Sequence, residues 1–381
     1  MTELETSVHD GVEELHEPRW NAAVEQSDLG SCFQRTEWLA VLEAGLDLEP
    51  RHVTVERDGA LVAVCPNFVS EIRLPASVSV PGRRPLAEVV STEPGFGGPI
   101  IVSEERDALR AVADAVAGIG GPGVVSHYLR TVDTGYLRYA QALDVLGYSP
   151  YVLNCRFVVD LSKDKAEIVD GMDKDRRYNL RKARENDASV REVDFDDEAV
   201  GTFYRRYEQV MERVGGDAYP QSFFRELATR FGDRVLVLAA EVEGEDEGEG
   251  ENEDEGESKD VGQHLYLRDE ERSSLHHLFS AVEEDHFRYY PSELIHDRAL
   301  DLALEAGYDA YDFGETGAHF EDGLFRYKEQ FGGRLVPTIT WERGLSPLWP
   351  VYRRGRSAYR RWNSAYTYPK LAIGDLLSTR E

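Results

Sequence analysis

Apolar and polar positions along this chain fall into short alternating runs with strand spacing and longer stretches with helical spacing. In the first 150 residues the spacing predicts helices at 18–26 and 37–44. Strands at 51–56 and 60–65 then flank Asp58-Gly59, a strong hairpin signal because both residues tolerate positive φ. A Gly95-Phe-Gly-Gly-Pro99 turn, a helix over 104–117, a strand over 123–130 and a helix over 135–146 complete this unit.

The pattern restarts at Tyr151 with a strand over 154–160, helices over 163–171 and 174–187, a strand over 188–193 and helices over 196–213 and 220–231. Apolar runs at 235–240 and 261–267 read as a hairpin. A strand over 274–282 precedes a helix over 292–306, where Ile295, Ala299, Leu302, Ala303 and Ala306 share one face. Strands at 310–313 and 334–342 enclose a last helix over 321–331. The order predicts an α/β (α+β) fold of two units, 1–150 and 151–345, each a mixed, mostly antiparallel sheet flanked by helices.

The hairpin is split by residues 241–260, which hold 12 acids and one Lys. Such a stretch buries no apolar surface and is expected to be a disordered, swollen loop, which costs little extra closure entropy. Across the 381 residues, 72 acids face 43 bases for a net charge of −29, and only seven of the bases are lysines. Excess carboxylate with scarce lysine is expected of a halophilic protein, where molar salt shortens the Debye length to about 3 Å. No run approaches the ~20 apolar residues of a membrane-spanning helix, and the N-terminus lacks signal-peptide features, so a soluble cytoplasmic protein is expected. Cys32, Cys65 and Cys155 are far apart and read as buried free thiols, and no zinc-ligand spacing is present. His276, His277, His286, His296 and His319 read as ordinary histidines.

Two motifs narrow the reading. Asp173-Lys-Asp-Arg-Arg-Tyr-Asn-Leu-Arg-Lys-Ala-Arg184, and Ala310-Tyr-Asp-Phe-Gly-Glu-Thr316 followed by Phe325-Arg-Tyr-Lys-Glu-Gln-Phe-Gly-Gly333, resemble the FemABX peptidyl and aminoacyl transferases and the related FemAB-like acyltransferases. The resemblance extends over roughly 15–345 and implies two tandem GNAT-like domains. It also implies transfer of an acyl or aminoacyl group to an amine, with aminoacyl-tRNA or acyl-coenzyme A as donor and no cofactor firmly implied. The family's functional lysine falls on Lys328, with Tyr327 where Phe is usual.

The residues themselves support a set of candidates. Lys328 would stabilise an oxyanion or hold a phosphate, and Asp312 or Glu315, just after a strand, would take a proton from the attacking amine. Arg177, Arg181 and Arg184 recur at helical spacing within a segment of net charge +5 (174–184) and would place an anionic acceptor. Tyr289, Tyr290 and Tyr327 are substrate-binding candidates and Ser292 a helix cap. The connection 283–292 has no glycine and opens with three carboxylates, which argues against a coenzyme A pyrophosphate there. Acetyl-coenzyme A-dependent N-acetylation is the enzymatic alternative, and a non-catalytic phosphate-polymer or tRNA-binding module the other. The Asp-Phe-Gly letters of a kinase occur here without its other motifs. The tail 346–381 is basic and aromatic and would contact tRNA, a membrane surface or the acidic body; DNA is not an expected partner.

Overall fold

The computed structural model describes residues 3–72, 86–119, 123–132, 134–186, 188–242 and 258–358. The bulk of the acidic segment (243–257) and the tail beyond 358, with Tyr359, Trp362, Tyr366 and Tyr368, lie outside these residues. The first half supplies β1 (Glu5–His9), α1 (Glu17–Glu25), α2 (Thr36–Leu46), β2 (Glu49–Pro50), β3 (His52–Arg57), β4 (Ala60–Cys65), β5 (Phe68–Glu71), β6 (Ala87–Val90), β7 (Ile100–Ile101), α3 (Glu105–Gly118), β8 (Val124–Val132) and α4 (Ala140–Val145). The second half supplies β9 (Ser149–Asp160), α5 (Lys165–Gly171), α6 (Lys174–Glu185), β10 (Ser189–Val193), α7 (Asp197–Val214), α8 (Gln221–Phe231), β11 (Val235–Val242), β12 (Lys259–Asp269), β13 (Ser274–Ala281), α9 (Pro291–Glu305), β14 (Ala310–Gly317), α10 (Gly323–Glu329) and β15 (Arg334–Gly344).

The mixed, antiparallel-rich architecture is the one expected. Asp58 and Gly59 turn the β3–β4 hairpin with φ of 50° and 75°, the left-handed pair that the Asp-Gly signal implies. Strands β11 and β12 pair across the acidic insertion from Val235↔Leu267 to Val242↔Lys259, so ladder pairing runs further into that segment than its composition suggests.

The two halves share one sheet. Its order is β10-β11-β12-β13-β14-β9-β15-β8-β6-β5-β2, beside a smaller sheet β1-β3-β4-β7. The boundary expected at 150/151 therefore falls inside a strand, β9. Strand β15, the last of the described strands, lies between β9 and β8 and bonds to both. Every residue of β8 is buried, as a central strand covered on both faces requires.

The core also crosses the halves. Helix α2 packs on α8, placing Trp38, Leu39 and Leu42 with Phe223, Phe224 and Leu227 in one cluster. Gly45 permits this approach: a Cβ there would stand 2.8 Å from Phe223 Cα. The Ser222 hydroxyl donates to the Gly45 carbonyl at 2.8 Å. Cys32, Cys65 and Cys155 are free and buried, as read from the sequence. Among the described residues no helix is long and apolar enough to cross a membrane.

Candidate functional site

Strand β14 carries the distinctive sequence, and one glycine shapes it. Gly314 has φ +75°, and the β14–β9 register shifts between Asp312 and Glu315. A Cβ on Gly314 would lie 2.4 Å from the His277 carbonyl oxygen, so only glycine fits. Its N–H donates to Asp312 Oδ1 at 2.7 Å, closing the bulge from within. The parallel pairing of β13 with β14 covers only Ser274–His276 against Ala310–Asp312; no pairing of these two strands is present beyond that point.

Lys328 reaches this bulge from α10, which starts where Asp322 caps it by accepting from Phe325 N at 2.9 Å. Its Nζ donates to the Glu315 carbonyl at 2.9 Å, and the side chain is buried. Burial pushes the ammonium down to about 8, against the opposing pull of Asp312. Lys328 thus stays mostly protonated at neutral pH yet close to losing its proton.

Asp312 belongs to a row of buried charges crossing four adjacent strands. Arg156 on β9 donates to Asp312 Oδ2 at 2.5 Å, and His276 on β13 bridges Asp312 through Nδ1 (2.8 Å) and Asp269 on β12 through Nε2 (3.0 Å). Asp269 in turn accepts from the backbone N–H of Cys32 at 3.0 Å. Burial alone would raise the Asp312 carboxyl, but Arg156 and His276 outweigh it and hold the group well below the usual carboxylate range. Burial likewise opposes the His276 cation, and its two carboxylates overcome that and raise its pKa. A carboxylate held so firmly ionised is a weak base, which weighs against the proton acceptor expected of Asp312.

Glu315 points across the junction of the halves. Arg130 on β8 donates one nitrogen to both carboxylate oxygens at 2.6 and 2.7 Å, and Asn154 Nδ2 also donates to Glu315. Arg130 pairs with Glu93 as well, at 3.1 Å. Beside these groups lies a cavity of about 260 Å³ whose lining includes Glu88, Glu93, Tyr128, Arg130, Asn154 and Arg356. Burial pushes Glu88 up to about 7. Sequence reasoning missed Glu88, Arg130 and Asn154, because each is unremarkable locally and gains meaning only through strands brought together over long separations.

The arginine helix is occupied differently from the expectation. Arg177 donates to the carbonyls of Asp170 and Met172 at 2.7 Å each, Arg184 pairs with Asp297 at 2.6 Å, and Arg181 is exposed beside Glu185 and Tyr178. The three do not converge on a common point, since their helix faces α9 and its own N-terminal loop. Arg176, not singled out before, is the residue that faces inward: it pairs with buried Glu293, bonds Gln330 and lies 4.4 Å over the Tyr327 ring. Tyr327 is half-buried, and its ring packs beneath that guanidinium. Tyr290 takes a left-handed conformation (φ +55°) at the start of α9, and Tyr289 packs on the second-half core; neither lines the cavity beside Glu315. Ser292 is inside α9 and does not cap it; its hydroxyl meets His264 Nε2 at 3.2 Å.

The carboxylates of the 283–285 connection are not bare. Glu283 faces Arg206 at 3.6 Å and Glu284 faces Arg213 at 3.3 Å, which offsets part of the repulsion expected for a phosphate. Downstream, residues 349–358 form a helix whose Arg356 reaches back to Glu342 and Tyr128, so the described part of the tail docks on the body.

Residues 174–329 match the family described as acetyltransferase (GNAT) domain. No curated protein sequence matches the chain. Among solved structures, FemX shares 16% identity at a TM-score of 0.66, over 92% of this chain and 99% of that one. A tandem GNAT protein from the clavulanic acid biosynthesis pathway shares 13% at 0.53, over 91% and 99%. The C-terminal domain of a putative lysylphosphatidylglycerol synthetase from Agrobacterium fabrum shares 13% at 0.51, over 86% and 91%. The chain shares the fold of these structures, one of them a tandem GNAT protein, and within it residues 174–329 match a GNAT acetyltransferase domain.

Proposed function

We propose that this acyltransferase moves an acyl or aminoacyl group onto an amine at the junction of its halves, with Lys328 as the cation that stabilises the developing oxyanion. The observation that carries this reading is a buried ammonium at a glycine bulge, where β13 and β14 part, bonded to the carbonyl of Glu315, whose carboxylate meets Arg130 and Asn154 in the wall of a polar cavity. The acceptor amine enters past Glu88, Glu93 and Glu315, whose carboxylates attract an ammonium. Glu88, matched to neutral pH by its burial, takes the proton that the amine must shed. Arg130, rather than the arginine helix, is the cation beside which an anionic group of the acceptor would lie. Holding amine and activated carbonyl together supplies much of the remaining acceleration.

For the donor we favour an aminoacyl group. One structural relative is named for lysylphosphatidylglycerol synthesis, which pairs an aminoacyl group with a phosphate-bearing acceptor. Acetyl-coenzyme A is the second reading, favoured by one feature: Arg206 and Arg288 line a cavity of about 660 Å³ at the 283–288 connection. We further infer that the protein works in the cytoplasm of a salt-rich cell, given its −29 charge and scarce lysine. Calorimetric titration of acetyl-coenzyme A in multimolar KCl separates the donors: saturable binding selects the second reading, and no binding by the folded protein directs the assay to aminoacyl-tRNA. For either donor, Lys328→Met must slow transfer by about 10²–10³-fold while the protein stays folded.

A further inference from the structure

Three histidines meet inside the second half, behind the bulge and within the electrostatic reach of Lys328. His264 on β12, His277 on β13 and His296 on α9 are all buried, and their ring centroids lie 4.7, 4.8 and 4.9 Å apart. One ring nitrogen from each stands within 4.8 Å of one from each of the others. We propose that they form a binding site for a transition-metal ion of the zinc class.

The hydrogen bonds around the rings sort their nitrogens. Each Nδ1 has a fixed outer partner: the Phe313 carbonyl for His277 (3.3 Å), the Tyr266 hydroxyl for His264 (3.3 Å) and the Tyr311 hydroxyl for His296 (2.6 Å). A carbonyl only accepts, so His277 carries its proton on Nδ1 and presents Nε2 as a lone pair. This is the outer-shell arrangement that orients metal-binding imidazoles. The Nε2 atoms of two of them face only hydroxyls, Ser280 (3.0 Å, to His277) and Ser292 (3.2 Å, to His264). Three neutral imidazoles and two hydroxyls are the soft-to-borderline nitrogen and oxygen set that suits zinc, with a serine hydroxyl or a water as fourth ligand.

Burial agrees with the ligand form. It pushes His277 down to about 3 and holds His264 and His296 well below the ordinary imidazole value, so all three are neutral at physiological pH. Tetrahedral zinc with nitrogens at ~2.0–2.1 Å needs them about 3.3–3.4 Å apart, so the rings must turn to bring their nitrogens inside the 4.8 Å within which they now stand. Because the ligands come from two strands and the helix packed on them, a bound ion would pin α9 to the sheet. The nearby trio of Cys32, Asp269 and His276 is different: both nitrogens of His276 are already taken by carboxylates.

The test uses the untagged full-length protein, stripped with chelator, loaded with Zn²⁺ or Co²⁺ and passed through a desalting column. We expect one ion per chain by elemental analysis and the intense visible bands of tetrahedral Co²⁺. His296→Phe, which keeps the volume and removes the nitrogens, should lose both signals. Tyr311→Phe, which removes only the outer hydroxyl, should weaken binding roughly 10–100-fold, and it decides the matter if His296→Phe does not fold. A folded wild-type protein that retains no ion overturns the proposal, as does an ion retained equally by both variants, which would mark adventitious binding elsewhere.

Discussion

Asp312→Asn isolates the charged row behind the bulge. The substitution keeps the side chain's shape and removes its charge, leaving Arg156 and His276 without their shared carboxylate in a buried site. Two charge-assisted hydrogen bonds at roughly 1.5–3 kcal/mol each give about 3–6 kcal/mol, and breaking a buried pair from one side costs roughly 3–5 kcal/mol. We therefore expect a loss of about 4 kcal/mol, measured by urea unfolding at constant multimolar KCl. The pH dependence follows from the two shifts. Asp312 is depressed from 3.8, so its contribution is present above that value and is lost as pH falls below it. His276 is raised from 6.5, so its contribution is complete below that value and is lost as pH rises through the folded-state pKa. The row is strongest between these limits, and Asp312→Asn should flatten both edges of the stability profile. Adding Arg156→Met should recover part of the loss, because the orphaned cation goes too. A loss below about 1 kcal/mol, the value of an exposed pair, would refute the account.

Four further outcomes follow from the site. Lys328→Met should lower kcat by about 10²–10³-fold with little change in acceptor KM; wild-type activity should fall as pH rises through about 8, the value to which burial pushes the ammonium. Glu88→Gln should remove the acid limb near pH 7 from the rate profile while leaving thermal stability close to wild type. Gly314→Ala should destabilise by roughly 3 kcal/mol and abolish transfer, read by denaturant unfolding and single-turnover assay, because its Cβ meets the His277 carbonyl. In the arginine helix, Arg181→Ala should change stability by under about 0.5 kcal/mol, whereas Arg176→Ala should cost roughly 3–5 kcal/mol by orphaning buried Glu293.

The legible part of this structure is local. Helical spacing placed α9 within a residue at each end, and Asp58-Gly59 announced its turn from two letters. Lys328 was conspicuous in a chain of seven lysines, and it lies at the bulge that Gly314 makes. What local pattern did not convey is which charges meet. Arg177, Arg181 and Arg184 share a helical spacing, yet carbonyls, solvent and Asp297 claim them separately. Asp269, His276, Asp312 and Arg156 come from four strands up to 156 residues apart, and no spacing encodes that row. His264 had no local signal at all; its neighbours exist only once β12, β13 and α9 are in place.

The position of β15 has a consequence for synthesis. Residues 334–344 occupy the slot between β8 and β9, strands that leave the ribosome some 184 residues earlier, counted from Asp160 to Gly344. At roughly 5–20 residues per second, that interval lasts about 10–40 s. Throughout it, two long strands destined for the middle of the sheet have open backbone edges facing each other across an empty slot. The nascent chain must therefore be sheltered by a chaperone or by provisional pairing, and a message truncated between codons 318 and 334 yields a product with two sticky edges in place of a smaller stable enzyme.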